Sequence, residues 1–196
     1  MVDTTSPSLL IRIRDRDDTD AWSKFYDLYG PLLYRYARSR GLSHDDAEDV
    51  RGNCYEAIVK QIETFEYDKE KGGFKAWLRT LVNRRVVDRL RKRKSQALES
   101  KHLRDVQAET PAADELWDEY WKNQHLRYCI EAARQNVSTQ SYEAFQLMAQ
   151  EGLSAQAVAE RLGLNTNQVY KAKARVLKAI RQQMALIYPD EISGES

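Results

Sequence analysis

Apolar positions recur at helical spacing along most of this chain. Trp22, Phe25, Tyr26, Tyr29, Leu32, Leu33 and Tyr36 form one stripe, and a repeat of three and four residues marks an amphipathic helix. Thr19 or Asp20 is placed to cap it, and Pro31, which lacks a backbone donor, predicts a kink. A shorter helix is predicted ahead of it, with Ser8 as its cap and Leu9, Leu10 and Ile13 as its apolar face. Ser43-His44-Asp45-Asp46 reads as an N-cap followed by acids in the first turn. Ala47, Val50, Cys54, Ile58 and Ile62 then share one face. The pattern breaks between Phe65 and Gly73, at Asp68 and the Gly72-Gly73 pair, and resumes with Phe74, Trp77, Leu78, Leu81, Val82 and Leu90. That third long helix is predicted to end in Arg91-Lys92-Arg93-Lys94. Residues 95–122 have weaker periodicity and contain Thr110-Pro111, which marks a linker. Within it, Leu116, Trp117, Tyr120 and Trp121 predict a short helix that docks by its aromatic face. Leu126, Ile130, Ala133 and Val137 give a further stripe, and Tyr142, Phe145 and Met148 another.

The sharpest local pattern runs from Leu153 to Ala172. Ser154 is placed to cap a helix whose Val158 and Leu162 face a core, with Ala159 small enough for a close helix crossing. Gly163 falls where a tight turn needs a left-handed residue. Leu164, Val169 and Ala172 pack a second helix back on the first. This is the arrangement of a helix-turn-helix, whose second helix places its N-terminal residues in a DNA major groove. The alternative is an ordinary pair of antiparallel helices.

Composition narrows the class. The chain has 196 residues, 42% hydrophobic and 31% charged, which suits one mid-sized domain or two small ones. No apolar run of about 18 residues occurs, so no transmembrane helix is expected, and Met1 to Ser8 lacks the basic start and apolar core of a secretory signal. Two cysteines, Cys54 and Cys129, make no disulfide framework. With only 8 glycines and 4 prolines, a many-turned β protein is disfavoured. The fold class expected is all-α: two small helical domains joined by a linker, the second a helix-turn-helix.

The net charge of +1 hides a block pattern. From Lys75 to Lys94 there are nine Lys or Arg and one acid, Asp88. From Ser95 to Gln124 there are seven acids and three bases, and from Asn167 to Met184 five bases and no acid. Two basic helices around an acidic connector suggest two nucleic-acid surfaces, although basic runs are also ordinary solvated helix faces. The connector's acids predict that it folds back over one basic surface, anchored by Trp117, Tyr120 and Trp121, with Asp114, Glu115, Asp118 and Glu119 facing Lys and Arg side chains. A plain flexible tether is the rival.

Taken together, Asp46-Ala47-Glu48-Asp49-Val50, Gly73-Phe74-Lys75-Ala76-Trp77-Leu78-Arg79, Asp88-Arg89-Leu90-Arg91-Lys92-Arg93, Glu151-Gly152-Leu153-Ser154 and Val158-Ala159-Glu160-Arg161-Leu162-Gly163 resemble a bacterial sigma factor of the extracytoplasmic-function type, in the sigma-70 superfamily. The resemblance implies a region 2-like domain over 8–94 that binds core RNA polymerase and melts the minus-ten element. It implies an acidic linker at 95–122, a region 4-like helix-turn-helix domain over 123–187 for the minus-thirty-five element, and a tail at 188–196. By the same resemblance, Asp46, Glu48, Asp49 and Asn53 bind polymerase, and Phe74, Lys75, Arg79, Asn83, Arg84, Arg85, Asp88 and Arg91 act at the minus-ten element. Thr166, Asn167, Gln168, Tyr170, Lys171, Lys173 and Arg175 act at the minus-thirty-five element. The loop from Glu66 to Phe74 is short, polar and flanked by aromatics, which suits holding a flipped base. Partners implied are core RNA polymerase, promoter DNA and an anti-sigma factor, in the cytoplasm, with no membrane insertion and no cofactor. Gly52-Asn53 departs from the usual Gln-Glu pair, and Tyr170-Lys171-Ala172-Lys173 from the usual recognition-helix residues.

Two other classes stay open on sequence grounds. One is a helix-turn-helix regulator that does not engage polymerase, in which 43–94 has no evident purpose. The other is an enzyme acting on nucleic acid. The acids Asp45, Asp46, Glu48 and Asp49 are explained by a helix start, and no phosphate loop or nucleophile–base pair is visible, so no catalytic residue is expected. His125 and Cys129 stand four apart without a second ligand pair, so no metal site is expected.

Overall fold

A computed structural model describes residues 7–66, 73–96 and 111–187. The expected tail, residues 67–72 of the loop before Phe74, and linker residues 97–110 lie outside the described residues. The described residues form eight α-helices and no strand. They are α1 (Pro7–Arg12), α2 (Thr19–Ser39), α3 (His44–Gln61), α4 (Gly73–Gln96), α5 (Pro111–Arg134), α6 (Thr139–Ala149), α7 (Ala155–Leu162) and α8 (Thr166–Ile187), with a 3-10 turn, Ile62–Thr64, after α3. No helix among the described residues is long and apolar enough to cross a membrane.

The chain divides into two compact units between Gln124 and His125, so α5 begins in one and ends in the other. In the first unit, α2 is capped by Asp18, whose carboxylate accepts from the Ala21 N–H, one position before the expected cap. Arg12 explains the choice: its guanidinium donates twice to that carboxylate at 2.7 Å and ties α1 to the start of α2. These bonds, and the Ala21 N–H, hold the Asp18 carboxyl below its ordinary pKa. α2 runs through Pro31 without ending. Ser43 caps α3 by accepting from the Asp46 N–H. Apart from Tyr26, which is 40% exposed, the predicted faces of α2, α3 and α4 meet in one core, in which Phe25, Tyr29 and Phe74 pack at steep ring angles with centroids 4.7 to 6.0 Å apart.

The greatest difference from the expected organisation lies at 111–122. These residues do not merely link: they are the first half of α5, and they complete the first unit's core. Trp117 and Trp121 are each 1% exposed. Trp117 packs edge-on against Tyr36 at 5.0 Å, and Trp121 lies tilted against Tyr29 at 5.5 Å. Two of the four acids expected to face bases do so: Asp118 meets Lys75 at 2.7 Å and Asp114 meets Arg79 at 2.9 Å, while Glu115 and Glu119 stay exposed. Aromatic burial supplies most of the docking energy: the more exposed Asp114–Arg79 pair contributes only about 0–1 kcal/mol, and the buried Lys75–Asp118 pair gives back much of its attraction as desolvation.

In the second unit, the last turns of α5 pack with α6 and α8 through Cys129, Ala133, Tyr142, Phe145, Val176 and Ile180. Of the expected stripe, Ala133 is buried and Ile130 and Val137 pack against this core, and Leu126 is the exception. Leu126 is 44% exposed while His125 and Cys129 are buried. A smaller cluster, with Leu147, Val158, Ala159, Val169 and Ala172, holds α7 and α8 together. Burial pushes the Cys54 thiol up to about 12 and the Cys129 thiol up to about 11, so neither is a thiolate at neutral pH.

Candidate nucleic-acid interface

Residues 154–175 form the most sharply built site. The Ser154 hydroxyl accepts from the Ala157 N–H at 3.2 Å and starts α7. Gly163 ends it at φ 64°, ψ 33°, a left-handed conformation that any side chain would strain. The Leu164 N–H then closes on the Ala159 carbonyl at 2.9 Å. α8 starts with a reciprocal pair: the Gln168 N–H donates to Asn165 Oδ1 and the Asn165 N–H donates to Gln168 Oε1, both at 2.8 Å. This is a capping box with amide side chains. The Asn165-x-x-Gln168 spacing carries that signal in the sequence, and it gives Gln168, expected as a DNA contact, a place in the cap. Val169, Ala172 and Val176 face inward. Thr166, Asn167, Tyr170, Lys171 and Arg175 are exposed, and Lys173 is half-buried. Lys178, seven residues on from Lys171 and also exposed, belongs to the same face and was not among the expected residues.

The second surface lies along α4. Arg84 and Arg91 are exposed and Arg85 is half-buried. Arg84 and Arg85 border a cavity of about 540 Å³, together with Thr64, Phe65, Glu66 and Trp77. Phe65 and Trp77 lie 5.0 Å apart on its wall, so the cavity offers flat aromatic surface beside a carboxylate and two guanidinium groups. That combination accommodates a planar, hydrogen-bonding group such as a nucleobase. Exposed Asp88 lines a neighbouring groove of about 410 Å³ with Asn53, Glu56, Lys60 and Lys92.

Other expected residues sit differently. Phe74, Lys75 and Asn83 are buried. The Asn83 carboxamide oxygen accepts from the Tyr36 hydroxyl at 2.7 Å, and Lys75 and Arg79 are held by α5 as described above. Of the acids at the start of α3, Asp46 is buried and receives Arg89 at 2.5 Å and Arg93 at 3.5 Å. Asp49 meets Arg89 at 2.9 Å, and Glu48 pairs with Arg51. Asn53 is exposed. Among the described residues, no group of three or more His, Cys, Asp or Glu side chains is arranged to hold a metal ion.

Burial pushes the Asp46 carboxyl up, but the hydrogen bonds from Arg89 and Ser43 and the charges of Arg89 and Arg93 outweigh it, leaving its pKa below the ordinary value. The unfolded chain therefore protonates Asp46 first as pH falls. The stability this carboxylate contributes is present above its unfolded pKa of about 4 and lost as pH falls through the lower folded value. Asp46→Asn is expected to lower stability at neutral pH and to flatten its fall between about pH 5 and pH 2. Urea midpoints across that range test this, and parallel slopes for both proteins would refute it.

Comparison with known proteins supplies a frame for these surfaces. The Sigma-70 region 2 family matches residues 25–96, which span α2 to α4 apart from the first turns of α2. The chain is 28% identical over 183 residues to the ECF RNA polymerase sigma factor SigK of Mycobacterium sp. (strain JLS), covering 91% of this chain and 89% of that one. It is 26% identical over 188 residues to the SigK of Mycolicibacterium vanbaalenii, with the same shares covered. It is 28% identical over 180 residues to that of Mycobacterium bovis, covering 89% and 90%.

Proposed function

We propose that the chain is an extracytoplasmic-function sigma factor of RNA polymerase, a reading supported by the region 2 match and by relatives similar over about nine-tenths of its length, and that it directs initiation through the two surfaces described above, one in each unit. It is an RNA polymerase sigma factor that acts in promoter-specific transcription initiation. In the proposed division, the first unit binds core polymerase through the α3 side, where Glu48, Asp49 and Asn53 lie. The cavity walled by Phe65 and Trp77 takes a base unpaired from the minus-ten element, with Arg84, Arg85 and Arg91 on the adjoining backbone. In the second unit, the outer face of α8 enters the major groove of the minus-thirty-five element.

The observation that carries this reading is the cavity, which stands inside the region 2 match and joins aromatic walls to exposed Arg84 and half-buried Arg85. A regulator that works without polymerase has no use for such a unit. In this reading the chain is not an enzyme: the polymerase performs the chemistry, and the sigma factor binds and melts. Its place is the cytoplasm, with the polymerase, and an anti-sigma factor joins polymerase and promoter DNA as a partner on family grounds.

The test is melting. Holoenzyme carrying Arg84→Ala and Arg85→Ala is expected to give about tenfold less open complex, the effect of losing charged contacts worth about 1–3 kcal/mol. Upstream binding and the fold should remain intact. Permanganate reactivity of thymines in a promoter transcribed by the wild-type holoenzyme reads this directly. Undiminished reactivity in the double variant would overturn the assignment.

A further inference from the structure

Base reading by a helix needs side chains that point away from the helix's own core and are not committed elsewhere. At about 100° per residue, the face of α8 opposite Val169, Ala172 and Val176 carries Asn167, Tyr170, Lys171, Ala174 and Lys178, all exposed. The lysines on this face suit phosphate, and phosphate contacts hold register without reading sequence. Gln168 lies off this face. A glutamine reads adenine with both ends of its amide, the oxygen accepting and the nitrogen donating. Here the oxygen receives the Asn165 N–H at 2.8 Å, so adenine reading would compete with one half of the cap.

Tyr170 is the large uncharged side chain left on that face, and it is 58% exposed. Its ring presents apolar surface to a thymine methyl, and its hydroxyl can donate to or accept from a base edge. One turn on, Ala174 is exposed and small, so nothing beside the ring holds the helix off the groove floor. We propose that Tyr170 sets the base preference of the minus-thirty-five contact and that Gln168 is a positioning residue which holds the start of α8. This assignment rests on the α8-in-groove reading of the preceding section.

The experiment reads sequence preference rather than affinity. Holoenzyme reconstituted from the full chain and core RNA polymerase selects from a random-sequence duplex pool, and the bound DNA is sequenced. The comparison covers wild type, Tyr170→Ala, Tyr170→Phe, Gln168→Ala and Gln168→Glu. Tyr170→Ala is expected to flatten the preference at one or two upstream positions by about tenfold, the size of one good base contact, with the downstream motif unchanged. Tyr170→Phe separates the ring from the hydroxyl by which position it relaxes. Gln168→Ala is expected to recover less DNA but the wild-type motif, and Gln168→Glu, which keeps the accepting oxygen, to return that same motif. An unchanged motif with Tyr170→Ala, or a position lost with Gln168→Ala and kept with Tyr170→Ala, would overturn the proposal while leaving the groove reading intact. If the wild-type holoenzyme enriches no upstream motif, the groove reading fails and the proposal with it.

Discussion

Replacing Trp117 by alanine is expected to destabilise the first unit by about 3–5 kcal/mol, the usual cost of emptying a buried tryptophan site. Its indole is 1% exposed and packs against Tyr36 and Trp121 at 5.0 and 5.8 Å, so the cavity left behind would be walled by rings that cannot collapse into it. Phenylalanine should behave differently. The Trp117 indole N–H is buried and finds no hydrogen-bond partner within the described residues, and an unsatisfied buried donor costs free energy. Trp117→Phe loses volume but also loses that donor, and should fall within about 1.5 kcal/mol of wild type. Urea unfolding followed by tryptophan fluorescence measures both. All four tryptophans, at 22, 77, 117 and 121, precede Gln124, so the signal reports the first unit alone even though the two-unit chain need not unfold in one step. A wild-type midpoint for Trp117→Ala would mean that α5 is no part of that core.

Loss of the neighbouring acid is the second large effect. Asp118→Ala is expected to cost about 3 kcal/mol, because it strips a buried cation of its counter-charge. The Lys75 side chain is 5% exposed, with its ammonium 2.7 Å from Asp118 and 5.9 Å from the centre of the Trp121 ring. The value sits at the low end for buried pairs because the Asp118 side chain is 31% exposed and keeps some of its hydration. Removing the cation has the opposite logic. Lys75→Met deletes a desolvated charge and fills its space with apolar atoms, so it should be close to neutral. The Arg79–Asp114 pair has side chains 25% and 45% exposed, so Asp114→Ala should cost less than about 1 kcal/mol. The same fluorescence titrations give all three values. Equal small losses for Asp118→Ala and Asp114→Ala would show that Lys75 is as hydrated as Arg79.

These contacts bear on function, because Lys75 and Arg79 were the first cations of the expected minus-ten surface. In the chain by itself both are committed to α5, and Phe74 and Asn83 serve the core. Arg84 and Arg91, farther along α4, are exposed, so in the proposed division they, with Arg85, carry the minus-ten contact.

Much of this was legible in the sequence because its causes are local. Ser43 and Ser154 start helices by bonding an N–H three residues on, Gly163 ends one because its backbone needs positive φ, and the period of about 3.6 residues showed which faces of α2, α3, α4 and α8 would be buried. The Asn165–Gln168 cap is equally local and is legible in the Asn-x-x-Gln spacing. What only the tertiary structure decided are the contacts between residues far apart in the chain. Asp46, read as a helix-start acid free to meet polymerase, lies against Arg89, 43 residues later, and Asn83, read as a DNA contact, answers Tyr36 at a separation of 47. Residues 111–122 have the charge of a linker, and their aromatic spacing promised a docking helix, but which surface would receive it depended on where Tyr29, Tyr36, Phe74 and Lys75 come together. Periodicity tells that a side chain is buried, whereas its partner is set by the packing of elements brought together from distant parts of the chain.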